Sequence, residues 1–166
     1  MAELTALESK IGEVLGLAMA AQDATQKVEK LVQQEGNHED LSQTLQRMAQ
    51  EAKETEERTT EVASELEGKK TAILEKARET KREATEMMST YLGDDAEGLD
   101  GLEFLVMAEA GETGHWEILG KLNERAGVAD VRELVDWALP IQQRHFEQAR
   151  ECSLQLAGEE DPNEVE

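Results

Sequence analysis

The sequence predicts an all-α protein, a four-helix bundle with one additional crossover helix. Three observations lead there. Strong helix formers (Ala, Leu, Glu, Gln, Lys) dominate, aromatic residues are 3% of the chain, and both prolines, Pro140 and Pro162, fall late. Apolar residues recur at heptad spacing through most of the chain, as in helices that bury one stripe. Gly36, Gly68, Gly93 and Gly127 punctuate the stripes where helices would end or turn. The 166 residues fit one domain over 1–158, large enough to bury ~70% of its unfolded surface. An acidic tail over 159–166 is expected to be disordered.

The first helix is expected over about 3–35. Leu4, Leu7, Ile11, Val14, Ala18, Ala21, Thr25, Val28 and Val32 make its stripe. Beside the stripe run Gly12, Gly16, Ala20 and Ala24, small residues that let a partner helix come close. Glu8, Glu13 and Asp23 flank the stripe, and Gly36 suits the position just past a helix end.

The second helix is expected over 38–67, with Asn37 as its N-cap and Asp40 three residues on. His38 falls in the first turn and reads as a surface histidine. The stripe continues through Leu41, Leu45, Met48, Ala52, Thr55, Thr59, Val62 and Leu66, turning polar midway with Glu51, Glu54, Glu56 and Glu57 close by. That gap either leaves room for a site or is a poor seam. Gly68 then shifts the register, so a third helix over 69–92 (Ile73, Ala77, Thr80, Ala84, Met87, Tyr91) is favoured over one helix of ~80 Å. In the basic cluster Lys69, Lys70, Lys76, Arg78, Lys81 and Arg82, the acids Glu65, Glu67, Glu75 and Glu79 sit three or four residues from most of the basic residues, so ordinary intrahelical ion pairs account for the bulk of it.

The fourth helix is expected over 96–126, opened by a capping box at either Asp94/Glu97 or Asp100/Glu103 and turned by Gly127. The fifth follows over 130–158, capped by Asp130 with Glu133. Pro140 lies inside it and removes a backbone hydrogen bond, so a kink just before Gln142 is expected.

Charge and composition narrow the function. Asp and Glu outnumber Lys and Arg by 38 to 17, a net charge of -21, which argues against nucleic acids and anionic membranes as partners. No apolar run approaches the ~20 residues of a membrane span. The N-terminal MAELTALESK lacks the basic and apolar blocks of a secretion signal, so the cytoplasm is the expected location. Cys152 is the single cysteine and sits on a seam, where a buried thiol packs as a small apolar group. Gly-rich phosphate loops, paired-Cys motifs and Ser/His/Asp arrangements are not visible.

The chemistry gathers in the last two helices. Their seams run Leu105, Ala108, Glu112, His115, Leu119, Leu122, Ala126 and Val128, Val131, Val135, Ala138, Gln142, His145, Ala149, Cys152, Leu156. Each carries one polar pair three residues apart, Glu112/His115 and Gln142/His145, which on a helix share a face. Counting outward from a turn at Gly127 sets Glu112 level with Gln142 and Glu109 level with His145. Polar groups at core positions cost several kcal/mol unless paired or bound to a metal.

An acid–His–aromatic–acid–Ile segment marks the third bundle helix of the bacterial stress-associated YciF-like branch of the ferritin-like superfamily. Here it reads Gly114-His115-Trp116-Glu117-Ile118, with glycine in place of the first acid. With Glu-x-x-His spacing inside a bundle, residues 98–156 resemble that superfamily, whose carboxylate-bridged sites hold two iron or manganese ions. The resemblance implies a ferritin-like four-helix bundle binding iron, or alternatively manganese or zinc, all suited to carboxylate and imidazole. Glu112, His115 and His145 would be the principal ligands, Gln142 and Glu109 auxiliary groups, and Glu13, Glu54 and Glu57 the candidates from the other helix pair. Gln142 stands where the superfamily has Glu, and the second helix lacks a mid-helix His, so one ion or a lapsed site fits as well as two. Any turnover would be iron oxidation or peroxide reduction; the residues alone establish none. Two readings compete with a metal site. One is a non-catalytic interaction or structural bundle in which the same groups form a register-fixing network, with a homodimer through the small-residue face of the first helix. The other is a coiled-coil scaffold built on residues 38–91.

Overall fold

Thr5 opens the first helix through a capping box. Its hydroxyl accepts from the Glu8 N–H at 3.2 Å, and the Glu8 carboxylate accepts from the Thr5 N–H at 2.7 Å. In this computed structural model, which describes residues 2–165, five helices follow: α1 (Ala6–Glu35), α2 (Glu39–Glu65), α3 (Lys70–Tyr91), α4 (Gly98–Ala126) and α5 (Ala129–Ala157). Residues 38–91 thus form two helices, which removes the long scaffold. Gly68 breaks them apart at a left-handed φ of 71°, and Gly127 turns α4 into α5 at 69°.

The molecule is an all-α bundle in which α1 packs on α2, α4 on α5, α1 on α4 and α2 on α5. The fifth helix, α3, carries the chain from the far end of α2 back to the start of α4 and lies against α1. There α1 is thin. A methyl group added at Gly16 would stand 2.4 Å from the Ala77 carbonyl oxygen and 2.7 Å from Thr80 Cβ, and one at Gly12 2.7 Å from Lys76 Cβ. The close partner at Gly12 and Gly16 is therefore α3 of the same chain, not the second copy expected at that face. Two ion pairs fasten it, Lys69 to Glu8 at 3.3 Å and Lys81 to Asp23 at 3.1 Å. Of the expected intrahelical pairs in this cluster, Lys76–Glu79 forms at 2.9 Å.

Three caps differ from expectation. His38, not Asn37, precedes α2, and no side chain caps that end. The His38 side chain is 13% exposed and lies 3.8 Å from Glu159, not free on the surface. Glu97 with Asp100 forms the box that opens α4, because the helix begins between the two expected positions. Val128 precedes α5 without a side-chain cap, and Asp130 sits in the first turn. The Asn123 amide closes the α4–α5 turn instead, exchanging hydrogen bonds with the Val128 backbone at 2.9 and 3.1 Å. Helix α5 runs unbroken through Pro140. Residues 159–165 are exposed; the tail's last residue, Glu166, and Met1 lie outside the described residues.

The apolar core comes in two parts. At one end Val28, Val32, Leu41, Leu45, Met48, Leu102, Leu105 and Leu156 pack together. At the other Ile11, Val14, Ile73, Trp116, Leu119, Val131 and Ala138 do so. Between them along the bundle α2, α4 and α5 bury polar residues, while α1 keeps Leu15 and Ala18 there.

Candidate functional site: a polar layer between two apolar cores

Helices α2, α4 and α5 each bring polar side chains to the middle of the bundle. From α4 come Glu109 and Glu112, exposed by only 2% and 5%; from α5 come Gln142 and His145, at 5% and 2%. Their seams put them inside for the same reason as the leucines around them: helical periodicity assigns the face and burial follows. From α2 come Thr55 and Thr59, both buried, whose hydroxyls donate back to the carbonyls of Glu51 and Thr55 at 3.0 and 2.6 Å. Those threonines offer the layer little besides shape.

Glu51 is the carboxylate that α2 contributes. It lies 2.8 Å from His145 Nε2 and 2.7 Å from Arg47 Nε, and it also accepts from Arg144. Burial alone would raise its pKa. Hydrogen bonds from Arg144, His145 and Arg47 outweigh that and hold the group at about 2. An ionised Glu51 makes the proton assignment on His145 follow: Nε2 carries the hydrogen and donates, leaving Nδ1 as an acceptor. Burial depresses the His145 pKa, against the pull of Glu51, and so favours the neutral ring.

The other ring nitrogen faces Glu109. His145 Nδ1 stands 3.9 Å from Glu109 Oε2, the same oxygen that accepts the Gln142 amide. Expectation set Gln142 level with Glu112; it pairs with Glu109 instead, so one carboxyl serves both members of the Gln142/His145 pair. Burial pushes Glu109 up to about 7, with the Gln142 bond opposing. Glu112 lies well above the carboxylate range through burial and through Glu109 beside it. Trp116 is near enough for its indole N–H to offset part of this, yet that N–H completes no hydrogen bond, and neither does Arg144 Nε.

The remaining predicted residues scatter. His115 sits at the α1–α4 edge with its side chain 37% exposed, its Nδ1 3.2 Å from Glu13 and 3.2 Å from Lys10. Lys10 also pairs with Glu13. Burial and the Lys10 charge depress the His115 pKa, against Glu13. Glu54 and Glu57 are exposed on the outside of α2. The layer therefore joins Glu109, Glu112, Gln142 and His145 but not Glu54 or Glu57, and it includes Glu51, which the sequence placed only nearby.

The donors do not fit a metal ion held by several protein ligands. Among the described residues no three His, Cys, Asp or Glu side chains converge as such an ion requires. His145 points opposite nitrogens at Glu51 and Glu109, so an ion beside one carboxylate would be cut off from the other by the ring. Arg144 and Arg47 already neutralise Glu51. Cys152 packs as expected, 7% exposed, its thiol pushed by burial to about 11. Among the described residues no helix is long and apolar enough to cross a membrane.

No family model matches the chain, and no curated protein matches it in sequence. Its fold does match solved structures. One is the E. coli stress protein YciF, at a TM-score of 0.67 and 14% identity over 93% of this chain and 96% of that one. Another is YcfI of Rhodopseudomonas palustris, described as a candidate structural protein, at a TM-score of 0.64 and 18% identity over 87% of this chain and 90% of that one. At these identities the likeness establishes the fold.

Proposed function

We propose that this chain is a non-catalytic helical-bundle protein whose buried polar layer sets how α2, α4 and α5 sit against one another. A role under stress, the description that YciF carries, is the setting in which we place it. The observation that carries the reading is that α5 is hydrogen-bonded from inside the bundle to both α2 and α4. Glu51 accepts a hydrogen bond from His145 Nε2 at 2.8 Å, and Glu109 accepts one from the Gln142 amide. Two sets of bonds, Arg144 and His145 to Glu51 and Gln142 to Glu109, tie α5 to α2 and to α4 in one register. Such bonding rejects sliding by a helical turn, since any slip leaves a buried carboxylate unpaired at a cost of several kcal/mol.

The test compares metal content with stability. Protein purified without chelator should hold far less than one equivalent of iron, manganese or zinc. His145→Ala should destabilise it by about 2–4 kcal/mol, through lost packing and a stranded Glu51, which is roughly 5–15 °C in Tm at this size. One equivalent of metal that is retained on dialysis and lost in His145→Ala would replace this reading with the ferritin-like one.

A further inference from the structure

Between α1, α3 and α4 runs a groove of about 230 Å³ that none of the contacts above uses. Its walls are apolar: Leu17, Ala20, Met88, Phe104 and Leu105 are among them. Met87 and Met107, also in the wall, are 68% and 51% exposed at its mouth. For scale, an apolar cavity of ~150 Å³ holds benzene. The floor is different in kind, because Glu109 and Glu112 line it. Glu109 is occupied by Gln142. Glu112 is 95% buried, being 5% exposed, and the Trp116 indole N–H near it completes no hydrogen bond. No lysine or arginine lines the groove, and His115 at its end is engaged by Glu13 and Lys10.

We propose that this groove binds a small amphiphile with an alkyl or single-ring body and a protonated amine, the body lying on the α1–α3–α4 wall and the ammonium pairing with Glu112. The chemistry is selective. An ammonium gives Glu112 the charged donor that the protein does not provide and so lets the carboxyl, protonated while the groove is empty, ionise; charge-assisted bonds in an enclosed site are about twice as strong as neutral ones. A carboxylate head would find no positive group in the groove, and a purely apolar ligand would leave Glu112 unpaired. Gly111 lines the groove as well, and a Cβ there would meet nothing within 4 Å. A larger side chain at 111 therefore starts in open space at the edge of the groove with no clash at its Cβ, which provides a blocking variant that folds.

The test titrates the full chain with hexylamine, 1-hexanol and hexanoate, following backbone amide shifts. Hexylamine should produce saturable shifts confined to groove residues, with 1-hexanol about tenfold weaker and hexanoate weaker still. Glu112→Gln should reduce hexylamine to the level of 1-hexanol. Gly111→Leu should abolish both while melting no lower than the parent. Hexylamine shifts spread over the acidic surface and unchanged in Gly111→Leu would overturn the proposal, as would equal binding of hexanoate or no saturable binding at all. A dimer that Gly111→Leu dissociates and hexylamine leaves untouched would overturn it too, assigning the groove to a second copy.

Discussion

At Glu112 a carboxyl group is buried beside a second one, Glu109, and its pKa is raised by that burial and that neighbour. The sign of the consequence is fixed by linkage. A raised carboxyl pKa means that the folded state keeps a proton the unfolded chain has released. Its contribution is therefore complete below the ordinary carboxylate value and is lost as pH rises through the folded pKa. Glu112→Gln holds the neutral shape at every pH. It should raise Tm by several degrees near pH 8 and by much less near pH 5, at ~2–4 °C per kcal/mol; thermal melts giving equal shifts at both would refute the burial argument. Glu112, Gln142 and His145 were legible because a polar residue on an apolar seam stands out against helical periodicity, and Glu109 because counting outward from Gly127 sets it level with His145. Glu51 was not. It flanks the Met48–Ala52–Thr55 stripe, as Glu54 and Glu57 do on other sides, and the stripe gives the phase of α2 without saying which flank meets α5. That depends on which helices become neighbours, and a single seam carries no record of it.

Among whole elements, α3 shows what glycine spacing reveals and what it conceals. The small residues of α1 announce that a helix comes close, and one does, but the visitor is the chain's own crossover. Lys69 gave no warning, because with Glu65 four residues before it the side chain looks like a member of an ordinary i, i+4 pair, whereas it reaches Glu8 on α1; Lys81, with no acid three or four residues away, reaches Asp23. Two glycines on these helices should respond with opposite signs. Gly16→Ala forces a methyl to 2.4 Å from the Ala77 carbonyl oxygen, and overpacking of this kind costs about 1–3 kcal/mol, more than the ~1 kcal/mol by which Ala favours a helix over Gly. Gly111→Ala meets nothing and should keep that gain. Urea denaturation of the two variants checks the pair; a stabilised Gly16→Ala would mean that α3 is not seated where it is described.

On the scale of the whole molecule, the helix count and breaks were readable in stripes and glycines, and so were the main pairings, because short turns make sequence neighbours into spatial ones. Helix ends were read less well: Glu97/Asp100 and Asn123 close ends that Asp94, Glu103 and Asp130 appeared equally suited to close, and local capping chemistry does not rank such rivals. The net charge of -21 acts on the fold through self-repulsion. Raising salt from about 0.05 M to about 1 M shortens the screening length from roughly 14 Å to 3 Å, and Tm should climb by several degrees. A flat or falling Tm would show that ion pairs such as Lys69–Glu8 and Lys81–Asp23 outweigh the repulsion. The division of the interior has a further effect on how the protein comes apart. Water can reach carboxyls and an imidazole far more cheaply than leucines, so the midline is where cooperativity is weakest and each apolar end is free to act as its own foldon. Amide exchange should then sort into two protection classes, one holding Leu41, Leu45 and Leu102 and the other Ile11, Trp116 and Val131, and Glu112→Gln should draw the two together.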